Sequence, residues 1–301
     1  MNLDPIVSEE VAQALHDGSP VVALESTVIS HGLPFPENLN TAKRMCAAVR
    51  SHGAVPAITA MIEGRLRVGL SENEIGSLAR PGVRKLSVRD LPLAAALGYD
   101  GATTVATTSL VAFAAGIRVF ATGGIGGVHR GSGADVSADL PALARTPLTV
   151  VCSGAKSVLD LEATREWLET YGIPVLGFKT DELPAFYAAN SGLSVDERVN
   201  SVEEAARVVR ARDEMGLGQA VLLTVPVPQK DGIPGDEFEA WMERALEDAS
   251  RKGVSGKEVT PFLLSTLSEL SGGRTLTANV SLLENNASVA AELSVTLSSS
   301  V

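Results

Sequence analysis

Short apolar runs rich in β-branched residues alternate with helical patterns along most of this 301-residue chain. The clearest apolar runs are Val21–Val28, Leu148–Cys152 and Ala220–Thr224. Such alternation is typical of parallel strands joined by helical crossovers that cover the faces of the sheet. The sequence therefore predicts an α/β fold, with a mainly parallel sheet core flanked by helices.

The strongest helical pattern is Pro36–Ser51, where one face carries four apolar residues: Leu39, Ala42, Met45 and Val49. The segment Gly101–Ala115 is compatible with a loop or with the start of a buried helix. Beyond residue 278 the chain is rich in Ser, Asn and Ala, and no period predicts an element there. Because no internal repeat or low-complexity linker divides the chain, we expect one large domain over residues 1–301.

The formal net charge of −11 argues against nucleic acid as a partner, because nucleic-acid binding needs a broad basic surface. Two cysteines, Cys46 and Cys152, are too few for a disulfide framework and favour a reducing compartment. The acidic N-terminus does not resemble a targeting signal, and no apolar run is long enough to span a membrane. We therefore expect a cytoplasmic protein that is not associated with membranes.

A glycine-rich turn, ATGGIGGVHRG, follows the predicted strand Arg118–Ala121. It lacks the lysine of a P-loop, and His129 stands where a dinucleotide fingerprint needs glycine. Two interpretations stay open: a cradle of backbone N–H groups for an anion, or a plain tight turn. His129 is likewise either a structural residue or a group near the ligand-binding edge of the sheet.

Carboxylates and a lysine follow this turn. Asp135 and Asp139 could offer oxygen ligands to a hard cation such as Mg²⁺ or Mn²⁺, or one of them could cap a helix. Lys156 follows the strand LTVVC, where we expect it to open a helix whose dipole would lower its pKa. In that setting Lys156 could be a nucleophile, and otherwise it is a solvated charge.

Glu25 lies among apolar residues in VVALESTVIS. A carboxylate in such a strand is paired or functional, and burial would raise its pKa toward the range of a general acid. Alternatively, Glu25 ends the strand and caps the next element. Lys85 could meet a phosphate, although a lone lysine is more often a solvated charge.

The chain resembles the pseudouridine-5′-phosphate glycosidase family. The resemblance rests on eight motifs in order: ALESTVISHGLP, KLSVRDLP, GATTVATT, ATGGIGGVHRG, DVSADL, SGAKSVLD, GFKTDELPAFY and TANVSLLENNA. They reach from residue 24 to 287, nearly the whole chain. The resemblance implies an enzyme that reversibly cleaves the carbon–carbon glycosidic bond of pseudouridine 5′-phosphate to uracil and ribose 5-phosphate, uses a divalent metal such as Mn²⁺, and forms homotrimers.

The resemblance also implies roles for individual residues. By motif, Lys156 matches the nucleophile, Glu25 the proton donor and Asp135 the metal ligand. The implied substrate contacts are Lys85, Val105, His129, Ser137, Ala138, Asp139 and Asn279. One departure is the short segment GSGA between the histidine and the metal aspartate, which puts the shape of that loop in question.

Two other classes of protein would share part of the pattern. A carbohydrate kinase would have the same α/β alternation and glycine turns, but this sequence has no recognisable ATP motif. A sugar-phosphate sensor would keep the phosphate-binding groups without needing both Glu25 and Lys156.

Overall fold

A computed structural model describes residues 3–131, 135–254 and 259–299, where an 11-stranded sheet forms the core. The strands are β1 (Ile6–Val7), β2 (Val21–Leu24), β3 (Val55–Ile62), β4 (Arg65–Val68), β5 (Arg84–Leu86), β6 (Gly101–Thr103), β7 (Val119–Ala121), β8 (Val128–His129), β9 (Thr149–Cys152), β10 (Leu159–Asp160), β11 (Val175–Phe178), β12 (Glu197–Val199) and β13 (Val221–Thr224). The α-helices are α1 (Glu9–His16), α2 (Glu37–Ser51), α3 (Glu72–Leu78), α4 (Leu91–Leu97), α5 (Val105–Ala114), α6 (Asp139–Leu143), α7 (Leu161–Thr170), α8 (Val202–Glu214), α9 (Gly235–Arg251), α10 (Val259–Leu270) and α11 (Arg274–Ser298).

The main sheet has the order β1-β4-β3-β2-β7-β9-β13-β11-β12, with β6 and β5 branching from β3. All pairings from β3 through β2 to β12 are parallel, whereas β4 and β6 run antiparallel to β3. The two short strands β8 and β10 pair separately. These findings confirm the predicted α/β fold with a mainly parallel sheet flanked by helices.

The central strands are buried along their whole length. Every residue of β2, β7, β9 and β13 is inaccessible to solvent or nearly so. A parallel sheet covered on both faces needs apolar side chains on both faces, so its strands appear in sequence as continuous apolar runs. This requirement explains the continuous apolar runs at these strands in the sequence.

The longest described helix is one that the sequence pattern did not predict. Helix α11 covers 25 residues of the Ser/Asn/Ala-rich tail and packs against α2, β7, β9 and β2. Small buried residues such as Ala278, Ala287 and Ala291 let it lie close to the sheet. A helix buried around most of its circumference has no polar face, and therefore shows no amphipathic period.

Two sequence predictions differ from the structure. The strand predicted over Val21–Val28 ends at Leu24, after which the chain turns into a short π-helix at Val28–Gly32. Lys156 does not open a helix, because α7 begins only at Leu161. Among the described helices, none combines the length and apolarity needed to cross a membrane.

Candidate active site

The site lies where the strand order of the sheet reverses. From β2 the chain continues to β3 on one side, whereas from β7 it continues to β9 on the other. In open α/β sheets this arrangement leaves a crevice outside the carboxyl ends of the two strands, where ligands bind. Glu25 follows β2 directly, Thr122 follows β7, and the loop that carries Lys156 follows β9.

A cavity of about 740 Å³ occupies this crevice. Its wall includes four of the residues implied by the motifs: Glu25, Lys85, Lys156 and Asn279. They come from the end of β2, from β5, from the loop after β9 and from α11. The fold thus collects a carboxylate, two amines and an amide from distant parts of the chain.

Glu25 is buried, with 4% of its surface exposed, and lies one residue beyond the strand. Its carboxylate accepts hydrogen bonds from the hydroxyls of Thr27 and Thr122, one on each oxygen. A hydroxyl can donate or accept, so the same two partners can also serve a protonated carboxyl group. This environment allows Glu25 to exchange a proton without leaving a buried polar atom unpaired.

Beneath Glu25, a network of buried hydroxyls fixes the start of the loop. The Ser26 hydroxyl accepts from the Thr103 backbone N–H at 2.9 Å. The Thr103 hydroxyl in turn lies 2.8 Å from that of Thr59 and accepts from that of Thr108 at 2.9 Å. Buried networks whose members are all hydrogen-bonded hold a single geometry. This network therefore holds the backbone beside Glu25 in place.

Lys156 lies half-buried in a loop that is joined to the glycine turn by backbone hydrogen bonds. The Lys156 N–H donates to the Ile125 carbonyl at 3.0 Å, and the Ile125 N–H donates to the Gly154 carbonyl at 3.1 Å. Helix α7 is capped instead by Asp160, whose side chain accepts from the Ala163 N–H. The predicted effect of a helix dipole on Lys156 is therefore wrong.

Lys85 is the lysine whose titration the site alters. Its side chain is exposed, but it lines the cavity, where the surrounding protein displaces part of the water around its ammonium group. This desolvation, followed by the positive charge of Lys156, lowers the pKa of Lys85, while Asp139 and Glu25 act in the opposite direction. Lys156 is thus close enough to influence the charge of Lys85.

Asp139 has a structural task at the rim of the glycine turn. It is buried, and its two carboxylate oxygens accept from the Ala106 N–H and the Gly126 N–H, each at 2.8 Å. A Cβ at Gly126 would lie 2.6 Å from one of these oxygens, so the turn needs glycine in order to approach the carboxylate. Asp139 therefore ties the first turn of α5 to the glycine turn.

The other residues implied by the motifs lie outside the wall of the cavity. Val105 is buried as the first residue of α5, and its neighbour Thr104 does reach the cavity. His129 forms the antiparallel bridge to β10. Ser137 is half-buried and Ala138 is exposed. Their substrate contacts stay predictions.

Asp135 is exposed and accepts the His129 N–H with its backbone carbonyl at 2.9 Å. Within the described ranges, no cluster of three or more His, Cys, Asp or Glu side chains could hold a metal ion. A cage made only of protein ligands therefore does not fit, but Mg²⁺-like ions often use one carboxylate, several waters and a substrate phosphate. Asp135 has the one carboxylate that this mode requires, and its role as a metal ligand stays a prediction. The shortened segment predicted to alter this loop includes residues 132–134, which lie outside the described residues.

Two further residues of the cavity wall were not singled out from the sequence. His31 lies in the π-helix, 2.7 Å from the Ser30 hydroxyl, and such helical bulges often occur at functional sites. Phe186 has a positive φ of 63° and donates its N–H to the Ser153 carbonyl. Both fall within the quoted motifs, but only their position in the fold shows that they face the cavity.

Comparison with known proteins agrees with this architecture. The family model of indigoidine synthase A-like proteins matches residues 10–296. The chain belongs to this family. Its curated relatives include the pseudouridine-5′-phosphate glycosidases of Methylobacterium nodulans, 52% identical over 96% of this chain and 86% of that one, and of Geobacillus kaustophilus, 49% identical over 99% and 100%. The resemblance predicted from the motifs is confirmed.

Two solved structures have the same fold. The prealnumycin C-glycosynthase AlnA, in complex with ribulose 5-phosphate, aligns with a TM-score of 0.91 at 42% identity, covering 98% of each chain. An indigoidine synthase A-like protein from Thermotoga maritima aligns with a TM-score of 0.90 at 40% identity, covering 98% of this chain and 97% of that one. The fold is therefore that of this family over nearly the whole chain.

Proposed function

We propose that this protein is a pseudouridine-5′-phosphate glycosidase, which reversibly cleaves the C-glycosidic bond of pseudouridine 5′-phosphate to uracil and ribose 5-phosphate. The observation that carries the proposal is the meeting of Glu25 and Lys156 in one cavity at the point where the strand order reverses. Relatives that are about half identical bear this enzyme's name, and AlnA binds a pentose 5-phosphate. We place the reaction in pseudouridine catabolism.

The chemistry of the bond explains why a lysine is needed. Glycosidases that cleave C–O bonds protonate the leaving oxygen, whereas here uracil leaves through carbon. A neutral amine can instead attack C1′ of the ribose and open the sugar ring. Lys156 in its amine form would be the nucleophile, and Glu25 would protonate the ring oxygen as its bond to C1′ breaks.

The later steps follow from the opened adduct. The adduct nitrogen loses one proton and uracil gains one at C5, which leaves the proton balance unchanged. The bond between C1′ and C5 then breaks as the lone pair of the lysine nitrogen forms an iminium at C1′. Water then adds to C1′, which releases ribose 5-phosphate and restores the amine of Lys156. Because every step is reversible, the same site can also join the two products.

The remaining groups would bind and orient the substrate. Lys85 and Asn279 lie in the cavity wall, where a cation can meet the phosphate and an amide can hydrogen-bond the base or the sugar. Asp135 would hold Mn²⁺, or another divalent cation such as Mg²⁺. When bound, such an ion supplies positive charge that balances the phosphate. The homotrimer and the cytoplasmic location implied by the family and the composition are part of the same proposal.

Uracil release from pseudouridine 5′-phosphate tests the proposal, followed by ultraviolet absorbance with and without Mn²⁺. Lys156→Ala is expected to lower turnover by at least about 10³-fold, since it removes the nucleophile. Lys230→Ala is the matched control, because Lys230 is an exposed lysine outside the cavity wall. Near-normal turnover of Lys156→Ala would refute the lysine mechanism, and an absence of uracil release by the unmodified protein would refute the proposed function.

A further inference from the structure

Asn286 is a completely buried polar residue for which the mechanism above has no role. It lies on α11, two helical turns beyond Asn279, and so on the same side of the helix. A buried amide is costly unless its hydrogen bonds are made. The partners of Asn286 therefore indicate what this residue does.

Asn286 bridges the ends of two neighbouring strands. Its Nδ2 donates to the Thr122 carbonyl at 2.9 Å, directly after β7, and to the Ser153 hydroxyl at 3.1 Å, directly after β9. Its Oδ1 lies 3.3 Å from the same hydroxyl, which can donate to it. The two loops are also joined by the Ser153 N–H, which donates to the Gly123 carbonyl at 2.8 Å.

These two loops lead to the two reacting groups. Thr122 donates its hydroxyl to the carboxylate of Glu25, so the position of its backbone sets where that carboxylate lies. Ser153 stands three residues before Lys156 in the loop that joins the glycine turn. Asn286 is thus connected to Glu25 through Thr122 and to Lys156 through Ser153.

We propose that Asn286 is a positioning residue that sets the separation of the Glu25 carboxylate and the Lys156 amine, acting through Thr122 and Ser153. This role rests on the proposed function, because it requires that both groups react with one substrate. Attack on C1′ and protonation of the ring oxygen occur at adjacent atoms. A displacement of about 1 Å between two such groups can lower the rate by about 10²-fold.

Asn286→Ala tests the proposal against Asn285→Ala. Asn285 is the neighbouring residue of the same type, half-buried, and its amide instead donates to the Pro226 carbonyl at 3.5 Å. We expect Asn286→Ala to lower kcat by about 30- to 300-fold with KM within about threefold. We expect Asn285→Ala to keep both constants within about threefold. Borohydride reduces the iminium between Lys156 and C1′ to a stable amine, and the rate of this trapping should fall in parallel with kcat.

Removal of a buried amide also threatens folding, so two milder variants each remove one contact between Asn286 and the reacting groups: that of Thr122 with Glu25, and that of Ser153 with Asn286. Thr122→Val removes the hydroxyl that faces Glu25, and Ser153→Ala removes the hydroxyl that faces Asn286. Each should lower kcat by about tenfold in a folded protein. If both act on one geometry, the double variant should lose less than the product of the single losses. A fully multiplicative loss would overturn the proposed coupling.

Failure of this role can be distinguished from failure of the function. If the unmodified protein released no uracil, the proposed function would fail and the role of Asn286 with it. If the protein released uracil but Asn286→Ala matched Asn285→Ala in kcat, the role of Asn286 alone would be wrong. A rise in KM with unchanged kcat would also contradict positioning of the reacting groups.

Discussion

Replacement of Asp139 by Asn shows whether Asp139 acts as a structural brace, which joins α5 to the glycine turn, or as a substrate contact. The carboxylate accepts from two backbone N–H groups, those of Ala106 and Gly126, each at 2.8 Å. An amide of the same shape keeps one acceptor oxygen but turns an NH₂ group toward the other donor. One hydrogen bond to a charged group, worth about 1.5–3 kcal/mol, is lost and a buried donor is left unpaired. We expect the free energy of unfolding to fall by about 2–4 kcal/mol.

Thermal and urea unfolding without ligand measure this effect. The expected loss corresponds to a fall in Tm of about 3–6 °C. Asp181→Asn is the matched control, because the Asp181 side chain is 77% exposed and pairs only at the surface with Arg198, so its change should stay within about 1 kcal/mol. If Asp139→Asn unfolded like the unmodified protein and raised only KM, the brace would be refuted and Asp139 would be a substrate contact.

Three further perturbations test the packing and electrostatics of the site. A Cβ at Gly154, which has a φ of +80°, would lie 2.0 Å from the Pro184 carbonyl, so we expect Gly154→Ala to lower the free energy of unfolding in urea by about 2–4 kcal/mol. Gly172 has a similar φ of +66° but open space around it, so Gly172→Ala should cost only about 1 kcal/mol. Equal losses in the two variants would contradict the close packing at Gly154. Thr149 has a buried hydroxyl with no partner among the described residues, so Thr149→Val should leave Tm unchanged or raise it, and a clear fall would reveal a missed hydrogen bond. Desolvation lowers the pKa of Lys85 in the folded protein below its value in the unfolded chain, so the charged lysine destabilises the fold fully below the folded pKa and no longer does so once the pH passes the unfolded pKa. Lys85→Met should therefore raise the free energy of unfolding in urea most at neutral pH and progressively less at higher pH. A gain in stability that does not depend on pH would contradict this assignment.

Much of the fold could be predicted because its signals are local. Buried strands such as β9 and amphipathic helices such as α2 show their periods in a short window of sequence. The reverse case is α11, whose burial on most sides removes the polar face that a period needs. The true start of α7 had a local signal, since Asp160 precedes the helical pattern as a capping residue.

The site was predictable in part for a topological reason. Glu25 and Lys156 both follow strands of a parallel sheet, and the carboxyl ends of such strands meet at one edge. The task of Asp139 could not be found this way, because one of its partners is the backbone N–H of Ala106, far away in the sequence. The same holds for Asn286, which contacts loops more than 130 residues upstream. Every residue except proline has the same backbone donor and acceptor, so the sequence does not show which of them a distant side chain will contact.

The measurement that tests the account most directly is borohydride trapping of the unmodified protein with ribose 5-phosphate, followed by mass spectrometry of its peptides. The account predicts one reduced adduct, on Lys156, which is absent from Lys156→Ala. Lys85 is the informative competitor, because it lines the same cavity and desolvation lowers its pKa. An adduct on Lys85 that persists in an active Lys156→Ala variant, or no adduct at all during turnover, would contradict the account.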